Sequence, residues 1–226
     1  MDRTRPKADA TAESLREFGP IGILAMLVVV LAGNVGPGPL GGILALAWAW
    51  RSGTPWREIG YVRPESWART IALAVGFGVA FKLLMKAIVM PLFGAEPTNA
   101  AFQYLVGNSA ALPAALWSVA VVAPFGEETV MRGFLFERLG KLIGRGVWVK
   151  ALIVVLGAAL FGLAHYSLQG LAGVQQGTIV GLVHGSIFAI TGRIWFLIVA
   201  HAAFSVTAAM MIYWNLESTV AQLICG

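Results

Sequence analysis

Apolar stretches long enough to cross a bilayer alternate with short loops along this chain, and that spacing constrains its fold more than any other feature. Residues 70–92, 113–137, 148–166, 171–190 and 194–214 each come close to, or reach, the roughly 20 residues that span a hydrocarbon core. Hydrophobic residues make up 58% of the 226 and charged ones 12%, against about 45–50% and ~25% in an average soluble domain. A disordered chain and a soluble globular domain are thereby excluded. The expected fold is an all-α polytopic membrane protein.

The first apolar region, 20–50, is too long for one straight span and short for two. Gly-Asn-Val-Gly-Pro-Gly-Pro at 33–39 interrupts it, and such a run breaks helices. It reads as two short spans, 19–34 and 38–50. The rival reading is a cleaved signal peptide ending near Gly33, but four acids stand beside the four bases of its N-region. The count is then about seven spans, with six to eight as the range; an eighth would come with 99–109 re-entrant. Residues 1–18 form a tail, 19–214 a single transmembrane domain and 215–226 a second tail.

The bases partition to one side of this layout. Arg3, Arg5, Lys7 and Arg16 precede the first span, and Arg51, Arg57, Arg63 and Arg69 follow the second. Arg138, Lys141, Arg145 and Lys150 lie around the loop at 138–147, and Arg193 lies in the next loop of the same side. The alternate loops carry none. By the positive-inside rule the N-terminus is cytoplasmic and the C-terminus lies outside. The expected location is a bacterial inner or plasma membrane. Residues 56–69 mix Trp56, Tyr61 and Trp67 with arginines and read as an interfacial stretch. The net charge of +5 fits basic loops facing anionic lipid rather than nucleic acid. A single cysteine, Cys225, excludes an internal disulfide and a cysteine metal cluster. Second from the end, it makes no prenylation box.

Ionisable groups inside spans are costly and mark function. Glu127, Glu128 and Arg132 lie in the fourth span, His165 ends the fifth, and His184 and His201 lie in the sixth and seventh. Glu128 and Arg132 are four apart and can neutralise each other on one helix face. Glu127 is offset by about 100° and has no obvious partner in its own helix, which suits a general base or acid. Pro124, three residues earlier, removes a backbone hydrogen bond and makes room for water. Glu127, His165 and His201 converge if spans four, five and seven are neighbours, giving a wet cavity among spans four to seven. His184 reads as packing or outer support. Lys82 and Lys86 share a face of span three; Lys86 is expected to snorkel outward and Lys82 to face a wet cavity. Gly173, Gly177, Gly181 and Gly185 form a stripe against which another helix can pack closely.

Three motifs now stand in order: Glu127-Glu128-Thr-Val-Met-Arg132 as EExxxR, Phe161-Gly-Leu-Ala-His165 as FxxxH, and His201-Ala-Ala-Phe-Ser205 as the first half of HxxxN. Over about 113–210 the chain resembles the CAAX protease and bacteriocin-processing family of intramembrane endopeptidases, which includes the type II CAAX prenyl endopeptidases. The resemblance implies that Glu127 activates the attacking water and that His165 assists the water or the leaving group. It implies that His201 and residue 205 stabilise the oxyanion, while Glu128 and Arg132 hold the site in place. Phe161 would support it. A membrane-bound or lipidated peptide or protein is the implied substrate.

The family is described both as metal-dependent and as glutamate-type. Glu127, His165 and His201 make a three-ligand set that zinc would take, although no HExxH is present. Ser205 departs from the family's Asn. That departure keeps open an inactive member acting as a membrane scaffold or immunity factor. Buried Lys, Glu and His also suit a small transporter, though no repeated halves are evident.

Overall fold

The computed structural model describes residues 9–35, 39–144 and 146–225. Among them the regular structure is entirely helical. The helices are α1 (Ala10–Arg16), α2 (Pro20–Val35), α3 (Leu40–Ser52), α4 (Trp67–Leu92), α5 (112–143), α6 (Val147–Ala164), α7 (Tyr166–Thr191), α8 (Trp195–Tyr213) and α9 (Glu217–Cys225). Short 3₁₀ turns occupy Trp56–Ile59 and Ala100–Leu105.

By length and composition, three helices can cross a membrane: α4, α6 and α8. A fourth is reached if α1 and the first fourteen residues of α2, bent by 63° at their junction, count as one span. The sequence expectation of about seven is larger for a physical reason. α5 carries Glu127, Glu128, Arg132, Glu137, Arg138 and Lys141, and α7 is rich in Gly and Gln, so both are long without being apolar throughout. α2 and α3 have 16 and 13 residues, about 24 and 20 Å at 1.5 Å per residue. The chain is nonetheless built inside out as a membrane protein is. Large apolar side chains such as Leu24, Leu73, Val155, Leu163 and Leu171 face outward, while Glu128, Arg132, His184 and His201 are buried.

α6 and α7 form a tight antiparallel hairpin. A Cβ placed on Gly177 would lie 3.0 Å from Gly162 Cα, on Gly181 2.7 Å from Ala158 Cα, and on Gly185 3.2 Å from Val154 Cγ1. The glycine stripe therefore sits where α6 comes closest, as expected. Gly170 breaks α7 near its start with φ 60° and ψ −151°, a conformation that only glycine adopts readily.

α5 is a single helix interrupted by two π-helical turns, 118–122 and 129–134, on either side of Glu127 and Glu128. Pro124 has no N–H to give, and the first wide turn lies immediately before it. The helix runs on to Ile143, so the loop expected from 138 is helical to that point. Arg138 is correspondingly buried rather than a loop base. Its guanidinium donates to the carbonyls of Arg16 (2.8 Å) and Glu17 (3.3 Å) and stacks on Phe18 (4.2 Å). It thereby ties the N-terminal helices to α5.

Two other segments differ from expectation. Tyr61, read as interfacial, turns inward: its hydroxyl lies 2.7 Å from Thr129 Oγ1 and its ring packs edge-on against Trp195. Residues 217–225 of the expected tail form α9, which docks through buried Glu217.

Candidate active site

The site assembles around Glu128. Its carboxylate is fully buried and receives three donors. Oε1 lies 2.8 Å from His201 Nδ1, 3.1 Å from His184 Nδ1 and 3.3 Å from Arg132 Nη1, while Arg132 Nε lies 3.3 Å from Oε2. A carboxylate paired with arginine only accepts hydrogen bonds, so both histidines carry their proton on Nδ1. That fixes the orientation of His201. Its other nitrogen, Nε2, lies 3.7 Å from Glu127 Oε2.

Glu127 and Glu128 are adjacent on α5, so their side chains diverge, as the helical period requires. Glu128 enters the core and Glu127 reaches a cavity. Glu127 Oε2 is buried without a hydrogen-bond partner, although 29% of the side chain is exposed. The cavity, of about 350 Å³, is lined by Glu127, His165, His201 and Ser205 together with Ser118 and Gln169. The four residues expected to act on substrate therefore share one space.

Phe161 connects the three motifs. Arg132 stacks on its ring at 4.6 Å, and the rings of His165 and His201 lie 4.8 and 6.2 Å from it, both edge-on. Its carbonyl oxygen lies 2.7 Å from His165 Nδ1. A carbonyl cannot donate, so His165 also carries its proton on Nδ1 and has Nε2 left for other partners. His165 sits at the corner between α6 and α7, which brings the far end of α6 to the middle of α5.

His184, expected as packing or outer support, stands behind Glu128 in that place, which no motif of the sequence marks. It is completely buried, and its contact with Glu128 ranks beside that of His201. A lone histidine on a glycine-rich helix belongs to none of the three motifs. The signal that could have found it was a further buried base near a lone Glu–Arg pair.

Glu128, His184 and His201 are the one group of metal-type ligands among the described residues whose ligand atoms lie within 4.8 Å of one another. They do not fit a metal ion. The two Nδ1 atoms are held as hydrogen-bond donors to Glu128, and the Arg132 cation already occupies the carboxylate. Glu127, His165 and His201 share the cavity without drawing ligand atoms that close together.

The helices thus bring a carboxylate oxygen without a hydrogen-bond partner and two imidazoles onto one cavity. Residues 109–207 match the family model described as type II CAAX prenyl endopeptidase Rce1-like, and over this segment the chain is similar to that family. The matched segment contains all three motifs. No curated protein and no solved structure matches the chain.

Proposed function

We propose that the chain is an intramembrane endopeptidase that hydrolyses a peptide bond of a membrane-bound or lipidated substrate, with Glu127 as the base that activates water. One observation carries the reading: Glu127 Oε2, buried and unpartnered, faces His201 Nε2 at 3.7 Å in a cavity shared with His165 and Ser205. A water bridging that gap would hydrogen-bond to both groups. Glu127 takes its proton as the oxygen attacks the substrate carbonyl. In this reading His201 carries a second proton on Nε2, facing Glu127, and donates from it to the developing oxyanion while Glu128 holds its Nδ1–H. Ser205, one turn beyond, offers a second donor. The proton taken by Glu127 returns to the leaving amine, with His165 Nε2 as relay.

No step is routed through zinc: Glu128, His184 and His201 are taken up by Arg132 and by hydrogen bonds, and the ligand atoms of Glu127, His165 and His201 are not gathered within 4.8 Å of one another. The reading also places the chain in a bacterial inner or plasma membrane. There it has seven spans, a cytoplasmic N-terminus and the catalytic cavity among spans four to seven.

The test is a cleavage assay on a membrane peptide library in liposomes, comparing the native chain with Glu127→Gln and repeating it after exhaustive chelation. Products should come from the native chain alone and survive chelation. Equal products from both proteins would remove Glu127 as the base. Ser205 in the place of the family's Asn favours a second reading, a silent scaffold or immunity factor. A native chain that is folded, well expressed and without products would establish that one.

A further inference from the structure

Two more cavities, of about 180 and 250 Å³, continue from the site. The first shares His165, His201 and Ser205 with the Glu127 cavity and is also lined by Lys82 and Gln176. The second shares Lys82 and Gln176 with the first and includes Lys86 and Glu217. Lys82 thus stands where the two meet.

A lysine buried in a membrane span ordinarily has an acid beside it. Lys86, one turn further along α4, has one: its Nζ lies 2.8 Å from Glu217 Oε1. The other Glu217 oxygen accepts from Asn99 N and Gln103 Nε2, each at 3.0 Å. Lys82 has no such partner. It is only 7% exposed, and among the described residues no carboxylate lies within 4.0 Å of its Nζ. Exposed Glu96 lines only the 250 Å³ cavity. Lys82 Nζ donates to Gln176 Oε1 at 2.9 Å and sits 4.9 Å over the Phe204 ring. An ammonium has three N–H groups and can only donate. Gln176 must therefore turn its oxygen toward Lys82, which leaves its amide nitrogen as a further donor. A buried cation with spare donors, in a space continuous with the reacting groups, is complementary to one unit of negative charge.

We propose that Lys82, with Gln176 beside it, binds a carboxylate of the substrate peptide and so fixes which peptide bond reaches Glu127. The positioning half of this inference rests on the protease reading; the binding half does not. The carboxylate is either the chain terminus of the peptide or an Asp or Glu side chain. Both offer the same chemistry to an ammonium and an amide donor.

The test uses the full chain carrying Glu127→Gln in neutral-lipid liposomes, so that bound peptide is not consumed. The probes are three versions of one dansyl-labelled apolar decapeptide: C-terminal acid, C-terminal amide, and the amide with one internal Glu. Binding is read by energy transfer from tryptophan. A hydrogen-bonded charge pair should favour a carboxylate-bearing probe over the plain amide by about ten- to a hundredfold. Adding Lys82→Gln should remove that preference while leaving binding of the plain amide unchanged. Preference for the acid form identifies the terminus as the source, and preference for the Glu form identifies a side chain. Equal binding of all three probes, which needs no Lys82 variant to observe, would overturn the proposal. So would a preference that survives Lys82→Gln in folded protein. With Glu127 restored, Lys82→Gln should raise KM for the preferred peptide by a similar factor. If the preference is present but nothing is cleaved, the protease reading fails and the carboxylate site stands.

Discussion

At the scale of single residues, the site is a division of labour between neighbouring glutamates. Glu128 takes three hydrogen bonds on Oε1 and the Arg132 ion pair on Oε2 at 3.3 Å, whereas Glu127 Oε2 has no hydrogen bond and faces only His201 Nε2, at 3.7 Å. His184 lines neither the 350 Å³ nor the 180 Å³ cavity, yet it donates to Glu128. On the protease reading proposed above it is a positioning residue. His184→Leu removes one hydrogen bond to an ionised carboxylate, an interaction of about 1.5–3 kcal/mol. kcat should fall about tenfold or more with KM unchanged, and a change confined to KM would show that His184 shapes the binding space instead. Ser205 is tested in two directions. Ser205→Ala should lower kcat by up to about tenfold, and Ser205→Asn should raise it by less than that, since tenfold is ~1.4 kcal/mol of barrier. Activity unchanged in both variants would take position 205 out of the reaction. Glu127, His165 and His201 were legible because charge in a span is conspicuous and their spacings form motifs. Lys86 pairs inward with Glu217 instead of snorkelling, and the sequence hides this because that acid stands 131 residues away, in a segment that reads as a tail.

At the scale of elements, backbone approach sets the geometry. The glycine stripe of α7 was readable, because four glycines at a four-residue period leave one helical face bare. The π-helical turns of α5 were not: they depend on how Pro124 and the neighbouring helices share out the backbone hydrogen bonds, and only the proline is visible in sequence. The extension of α5 to Ile143 was hidden by its charges, which find partners on α1 and α3 rather than in lipid headgroups. The α6–α7 contact is open to a direct test. A Cβ on Gly181 would sit 2.7 Å from Ala158 Cα and 3.0 Å from Ala158 Cβ, whereas one on Gly157 would meet nothing within 4 Å. Gly181→Leu should therefore destabilise the folded chain by about 1–3 kcal/mol through overpacking. Gly157→Leu should stay within about 0.5 kcal/mol of native. Thermal unfolding in detergent measures both. Equal stability of the two variants would mean that α6 and α7 do not meet at the stripe.

At the scale of the whole molecule, the arrangement that buries charge and exposes apolar side chains makes the bilayer part of the fold. The all-helical class was legible from the length of the apolar stretches, because lipid permits only helices or a closed barrel and a barrel strand needs only about 9–11 residues. The number of crossings was less so, since α5 and α7 are held by one another's polar groups and need not be apolar throughout. Orientation rests on the partition of Lys and Arg, and labelling tests it. In a Cys225→Ser background, single cysteines replace Arg57, in the segment between α3 and α4, and Asn108, in the segment between α4 and α5; both positions are exposed. A membrane-impermeant maleimide added to intact cells should label position 108 and leave position 57 unlabelled until the membrane is opened. α4 is 26 residues long, about 39 Å at 1.5 Å per residue, enough to separate the two sites by a full bilayer. Labelling of both positions from one side would mean that α4 does not cross, and the seven-span topology would fall with it. Labelling of position 57 alone would keep the crossing and invert the orientation. The basic segments would then lie outside, against the charge rule.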